Sequence, residues 1–117
     1  MKKLVLVRHA KSSWEGNHTD RERPIKDRGV KDAHLVASIL NEHSISFDKI
    51  FTSPALRAWQ TAAIFMEVLQ LDINCLNEEE DLYDFHGASL SNFVKQLPND
   101  LDSVLIFGHN HALTSVV

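Results

Sequence analysis

Two histidines each stand one residue beyond a four-residue apolar run: Leu4-Val5-Leu6-Val7-Arg8-His9 near the start and Val104-Leu105-Ile106-Phe107-Gly108-His109 near the end. A neutral imidazole is a competent nucleophile toward phosphorus, and a covalent intermediate divides one difficult displacement into two. An unperturbed pKa of about 6.5 leaves the ring largely neutral at physiological pH, and flanking guanidinium charge pushes it further that way. Arg8 adds a planar fork matched to phosphate oxygens. Arg57, four residues after Ser53, supplies a second fork. A protonated His109 would complete a positive cage around a dianion. At about 4 Å and an effective dielectric near 20, each unit charge pair is worth roughly 4 kcal/mol. Such charges act most strongly on the transition state of phosphoryl transfer, where negative charge spreads over the equatorial oxygens.

The elements that must position these residues follow from the apolar pattern. Uninterrupted apolar runs of this length, without a helical period, fit strands buried on both faces of a parallel sheet. Ligands of open parallel sheets bind beyond the carboxyl ends of the strands, where both histidines fall. A long polar segment, Ala10 to Lys26, follows the first run and reads as a functional loop. Val30, Ala33, Ala37 and Leu40 form one apolar stripe of a helix from Asp27 to about His43. Lys49-Ile50-Phe51-Thr52 reads as a short strand. A helix follows from Pro54 to about Leu69, with Ser53 as N-cap and Pro54 at the first helical position. Its expected buried face is Ala58, Thr61, Ala62, Phe65 and Leu69, and Arg57 lies in its opening turns, beside the positive end of the helix dipole. Asp72 to Leu76 suggests another strand, and Glu78-Glu79-Glu80-Asp81 a solvated stretch. A helix from about Ser89 to Leu97 ends before Pro98. Beyond His109, residues from Ala112 read as the first turns of a further helix, so the chain is expected to be truncated or a fragment at Val117. Gly108 is expected to permit close backbone approach.

Alternating strands and helices predict an α/β fold, a three-layer α/β/α sandwich around a mostly parallel sheet, in a single domain over residues 1–117. Bulk properties narrow the function. The hydrophobic fraction of 44% and charged fraction of 24% are those of a soluble globular protein. The apolar runs are too short for a bilayer, no signal-peptide pattern follows Met1-Lys2-Lys3, and the lone Cys75 offers no disulfide framework. Cytoplasmic residence is the expectation. Residues 1–31 hold nine Lys/Arg against four Asp/Glu, and the rest three against twelve, so a net +5 faces a net −9 within the overall −4. The basic segment around His9 would attract an anion. Nucleic acid is not expected as a partner, since no basic and aromatic stripe accompanies the acidic total. His109-x-His111 is a metal-like pair without a third ligand at suitable spacing. His18, His34, His43 and His86 read as surface or packing residues.

Taken together, the motifs resemble the histidine phosphatase superfamily, which has the phosphoglycerate mutase-like fold. Leu6-Val7-Arg8-His9-Ala10-Lys11-Ser12-Ser13-Trp14 resembles its opening motif, Thr52-Ser53-Pro54-Ala55-Leu56-Arg57-Ala58-Trp59-Gln60-Thr61-Ala62 its second-arginine motif, and Phe107-Gly108-His109-Asn110 its second-histidine motif. Asp20-Arg21-Glu22-Arg23-Pro24-Ile25-Lys26-Asp27-Arg28-Gly29 is similar to the SixA-type phosphohistidine phosphatases. The resemblance implies that His9 becomes phosphorylated while Arg8, Arg57 and His109 bind the phosphoryl group, with no metal and no cofactor. Ala10 stands where a glycine is common, a change associated with the SixA-like branch. Glu15 replaces an asparagine of mutase-type members, which argues against a sugar-phosphate mutase. The family's acid would fall on Asp84, within Leu82-Tyr83-Asp84-Phe85-His86-Gly87, shorter by one methylene than the usual glutamate. A solvated loop carboxylate is the alternative there.

The resulting expectation is a metal-independent phosphatase acting through phospho-His9 on a phosphohistidine protein such as a phosphorelay domain. The alternatives are a broad small-molecule phosphomonoesterase and a non-catalytic phosphate-binding or regulatory domain. Oligomeric state is not readable from the sequence.

Overall fold

In a computed structural model of the chain, the structure describes residues 3–10, 12–13, 16, 19–84, 88–109 and 113–116. Among the described residues, five strands and three α-helices follow one another: β1 (Lys3–Arg8), α1 (Asp27–Glu42), β2 (Lys49–Thr52), α2 (Leu56–Val68), β3 (Leu76–Glu78), α3 (Ala88–Lys95), β4 (Ser103–Gly108) and β5 (Leu113–Val116). The strands form one sheet in the order β3-β2-β4-β1-β5. The first four are mutually parallel and β5 runs antiparallel to β1. This is the expected α/β/α sandwich.

Side-chain alternation across the pleat builds the two outer layers. Val5, Val7, Ile50, Leu105 and Phe107 pack with Ala33, Ala37, Ala62, Phe65 and Met66 under α1 and α2. Val104 and Ile106 face the opposite side, against Leu90, Phe93 and Val94 of α3. β4, at the centre, is buried without a break from Val104 to Phe107. β1 departs from that expectation: Val5 and Val7 are buried, but Leu4 and Leu6 only in part. Those two leucines face the α3 layer, which is a single eight-residue helix among the described residues.

Four local expectations change. The segment after Ala112 forms a strand at Leu113–Val116, where a helix was expected, because pairing with β1 satisfies an otherwise open row of backbone groups. Ala112 itself lies outside the described residues. The third strand sits at Leu76–Glu78, behind a 3-10 turn at Ile73–Cys75 whose Asn74 amide donates to Asp72. Hydrogen bonding of Asp72 to its own backbone diverts that stretch from extended structure. α2 begins two residues later than expected, with Ala55 and not Ser53 as its N-cap. Finally, a Cβ added to Gly108 would meet the Leu82 carbonyl at 3.8 Å, an ordinary contact, so no close approach requires glycine there.

Phe107 is fully buried and packs edge to face on Phe65, with ring centroids 5.1 Å apart. Phe107→Ala is expected to lower unfolding stability by about 3–5 kcal/mol, measured by chemical denaturation. A loss below about 1 kcal/mol would contradict this placement of the core.

Candidate active site

The register of the central strands brings the two histidines together. β1 and β4 are neighbours with Arg8 opposite Gly108, and the His9 amide donates to the Gly108 carbonyl at 2.9 Å. Their rings meet edge on, with centroids 5.2 Å apart. β2 lies on the other side of β4, and the Ser53 amide donates to the Phe107 carbonyl at 2.9 Å. The carboxyl ends of three adjacent parallel strands therefore deliver His9, His109 and Ser53 to one edge. One turn further on, α2 contributes Arg57.

Arg57 is the centre of the site and only 2% exposed. Its Nε donates to His9 Nε2 at 3.4 Å, and its Nη2 to His109 Nδ1 at 3.4 Å. The same Nη2 donates to Asp20 Oδ2 at 3.0 Å, while Nη1 donates to the Asp20 carbonyl. Arginine has no acceptor, so these contacts settle both histidine tautomers. His9 Nδ1 lies 2.7 Å from the Ala10 carbonyl, which only accepts. The proton therefore sits on Nδ1, and the Nε2 lone pair faces the guanidinium. In His109 the arrangement is reversed: Nδ1 accepts from Arg57, and Nε2–H donates to Ser53 Oγ at 2.9 Å.

Electrostatics corrects the expected charge of His109. Burial first, then the positive charge of Arg57, lowers its pKa to about 4, so the ring is neutral rather than cationic at physiological pH. His9 is also lowered, chiefly by burial and then by Arg57, Arg8 and Arg23, against the raising effect of its bond to Ala10. Arg8 is exposed and acts on both histidines through its charge. It lines an open cleft of about 210 Å³ between β1, α1 and α2, shared with Val7, Asp32, Val36 and Phe65.

Several participants are not apparent from strand ends alone. Ser53, fully buried, accepts from both His109 Nε2–H and the Ala55 amide, so it sets the His109 ring where it was expected to cap a helix. Thr61 Oγ1 accepts the Ala10 amide at 2.8 Å and donates to the Arg57 carbonyl at 2.8 Å, tying the turn after His9 to α2. Asp20 is held by Arg57, by Arg23 Nη1 at 3.4 Å and by the Tyr83 hydroxyl. Burial raises the Asp20 pKa, but Tyr83, Arg57 and Arg23 together hold it below the ordinary carboxylate value. Tyr83 also meets His109 at a tilt, with ring centroids 5.3 Å apart, and lies under the Arg21 guanidinium at 4.7 Å. In the sequence, Asp20 and Arg23 are marked only by their place in the motif Asp20-Arg21-Glu22-Arg23-Pro24.

Asp84 carries a different load: its Oδ2 accepts the Leu90 amide at 3.1 Å in the first turn of α3. Among the described residues no group of three or more His, Cys, Asp or Glu is placed to hold a metal ion. Lys11, Trp14, Glu15, His18, His86, Asn110 and His111 lie outside the described residues, whereas His34 and His43 are exposed. No described helix is long and apolar enough to cross a membrane.

Two measurements follow from this geometry. His109 has a folded pKa below its unfolded value, so between about pH 6.5 and 4 the unfolded chain binds more protons. Stability is therefore expected to fall as pH drops through that window, and His109→Gln should flatten the fall in denaturant titrations. A wild-type profile level from pH 7 to 4.5 would contradict a buried neutral His109. Thr61→Val should leave the Ala10 amide unpaired and cost about 1–3 kcal/mol of stability in the same assay.

Residues 4–110 match the sequence model of the histidine phosphatase superfamily (branch 1). The 2,3-bisphosphoglycerate-dependent phosphoglycerate mutase of Dichelobacter nodosus is 34% identical over 101 residues, covering 82% of this chain and 40% of the relative. The chain thus spans well under half the length of that relative. The protein described as phosphohistidine phosphatase SixA from Agrobacterium tumefaciens superposes with a TM-score of 0.82 at 22% identity, covering 93% of this chain and 70% of the other. Its counterpart from Nakamurella multipartitia gives 0.76 at 28% identity, covering 92% and 59%. The fold, the three ordered motifs and the family match agree: the chain belongs to the histidine phosphatase superfamily.

Proposed function

We propose that the protein is a metal-independent phosphatase that removes a phosphoryl group through a phospho-His9 intermediate, with a phosphohistidine protein as substrate. The carrying observation is the His9 ring, with Nδ1–H fixed on the Ala10 carbonyl and the Nε2 lone pair turned toward the buried Arg57 guanidinium. In the first step Nε2 attacks phosphorus while the bond from phosphorus to the substrate nitrogen breaks, its electron pair remaining on the leaving imidazole, which takes a proton from solvent. In the second, water attacks phosphorus, the P–Nε2 pair returns to His9, and the water proton passes to solvent. The Ala10 carbonyl stabilises the positive charge that the ring carries between the two steps. Arg57, joined by Arg8 whose charge acts on both histidines, is matched to the equatorial oxygens. Arrival of a dianion favours protonation of His109 Nδ1, which converts it from an acceptor into a donor.

An imidazole leaving group needs no strong enzyme acid, which suits a site where Asp84 is engaged by the Leu90 amide. We keep Asp84 as the residue to test for proton donation to a poorer leaving group. The SixA-like motif and the likeness to SixA structures support the phosphohistidine reading. Likeness to phosphoglycerate mutases favours the second reading, a phosphatase of small phosphate esters. Residence in the cytoplasm and action as one domain belong to the same proposal.

The deciding experiment measures phosphate release from a phosphorylated histidine-containing phosphotransfer protein and from an aryl phosphate, for the wild type and His9→Ala. Release from the protein substrate is expected to exceed that from the ester, with His9→Ala slower by about 10³-fold or more. Equal rates for wild type and His9→Ala would end the phospho-His9 mechanism. Turnover of the aryl phosphate alone would favour the second reading, and phosphate binding without turnover a regulatory domain.

A further inference from the structure

The guanidinium that must receive the phosphoryl group already holds an anion. Arg57 Nη2 donates both to His109 Nδ1 at 3.4 Å and to Asp20 Oδ2 at 3.0 Å. Two further donors converge on that carboxylate, Arg23 Nη1 at 3.4 Å on Oδ1 and the Tyr83 hydroxyl on Oδ2. Two guanidinium groups and a phenol around one carboxylate are the donor set expected of an oxyanion site. The side chain that fills it is tethered to a short, exposed 3-10 turn, Asp20–Glu22, and is itself 41% exposed.

Resting on the phosphatase reading above, we infer that Asp20 is the internal ligand of the phosphoryl site, and that substrate binds by exchanging with its carboxylate on Arg57. Two like charges at one guanidinium edge repel, so the carboxylate and a phosphoryl dianion do not share Nη2. The exchange disturbs little else. Rotation about the Asp20 side-chain bonds moves the carboxylate toward solvent, while the Asp20 backbone carbonyl stays on Arg57 Nη1 and keeps the fork in place. The same carboxylate partners a charge that is otherwise almost wholly buried, and an unpartnered buried charge is costly. Asp20 thus holds the arginine ready and sets a threshold that any ligand must exceed. The predicted sign is the opposite of that for a residue which merely orients Arg57.

The test is inorganic phosphate binding by calorimetry at pH 7.5, with the full chain as wild type, Asp20→Asn and Asp20→Ala. Thermal melts establish that each variant is folded. Asp20→Asn keeps the shape and one acceptor oxygen but removes the charge and sets an NH2 donor in place of the other oxygen, and is expected to bind phosphate about 3- to 30-fold more tightly. Asp20→Ala should shift the same way, and both should lower KM in the hydrolysis assay. Unchanged or weaker phosphate binding by a folded Asp20→Asn would overturn the exchange and make Asp20 a positioning residue. That outcome is separable from failure of the main reading. Tighter phosphate binding with no turnover by any variant would uphold the exchange and reject the phosphatase, whereas His9-dependent turnover with unchanged phosphate affinity would do the reverse.

Discussion

A single buried guanidinium organises the candidate site. Arg57 is almost wholly removed from water, and burying such a charge costs several kcal/mol unless every donor is matched. Its Nε, Nη1 and Nη2 reach four acceptors: His9 Nε2, the Asp20 carbonyl, Asp20 Oδ2 and His109 Nδ1. Because arginine only donates, it dictates which nitrogen of each histidine carries a proton. The two rings consequently differ in kind, one presenting a lone pair to the site and the other anchored by its N–H to Ser53.

Burial first, and then the same charge, keeps the rings neutral. A cage of three positive groups would be self-repelling before any ligand arrived. Neutral histidines and the carboxylate of Asp20 relieve that repulsion. On the proposed reading, positive charge on His109 belongs to the complex with a dianion, which compensates it. Preorganisation here lies in the direction of donors and lone pairs more than in a stored excess of charge.

Supporting contacts reach the site from α2. Thr61, in α2, fixes the turn after His9, and Gln60 accepts the Ile25 amide so that the segment before α1 is anchored to the same helix. Trp59 of α2 donates to Glu78 at the end of β3. α2 thus serves at once as the cover of the core and as the scaffold of the site. Three consecutive residues, Trp59, Gln60 and Thr61, point to three different anchors because successive positions on a helix are about 100° apart.

The sequence by itself determined the layered α/β plan, the boundaries of β2, the strand-end positions of His9 and His109, and the presence of Arg57 in the opening of α2. These follow from local rules: apolar runs make buried strands, a 3.6-residue stripe makes a covering helix, and chemistry collects at strand ends. Only the tertiary structure decided that β4 lies between β1 and β2, which places Arg8 opposite Gly108 and Ser53 beside Phe107. It also turned Ser53 from a helix cap into a partner of His109, engaged Asp84 with α3, and brought Asp20 to Arg57 across 37 residues of sequence and Tyr83 to Asp20 across 63. The edge strand β5 appeared where the local pattern suggested a helix, since its pairing depends on the open side of β1. Periodicity reports what a segment does with its own neighbours. The charge of His109 and the anion on Arg57 depend on burial and on groups distant in sequence, so they become visible only when the strands are in register.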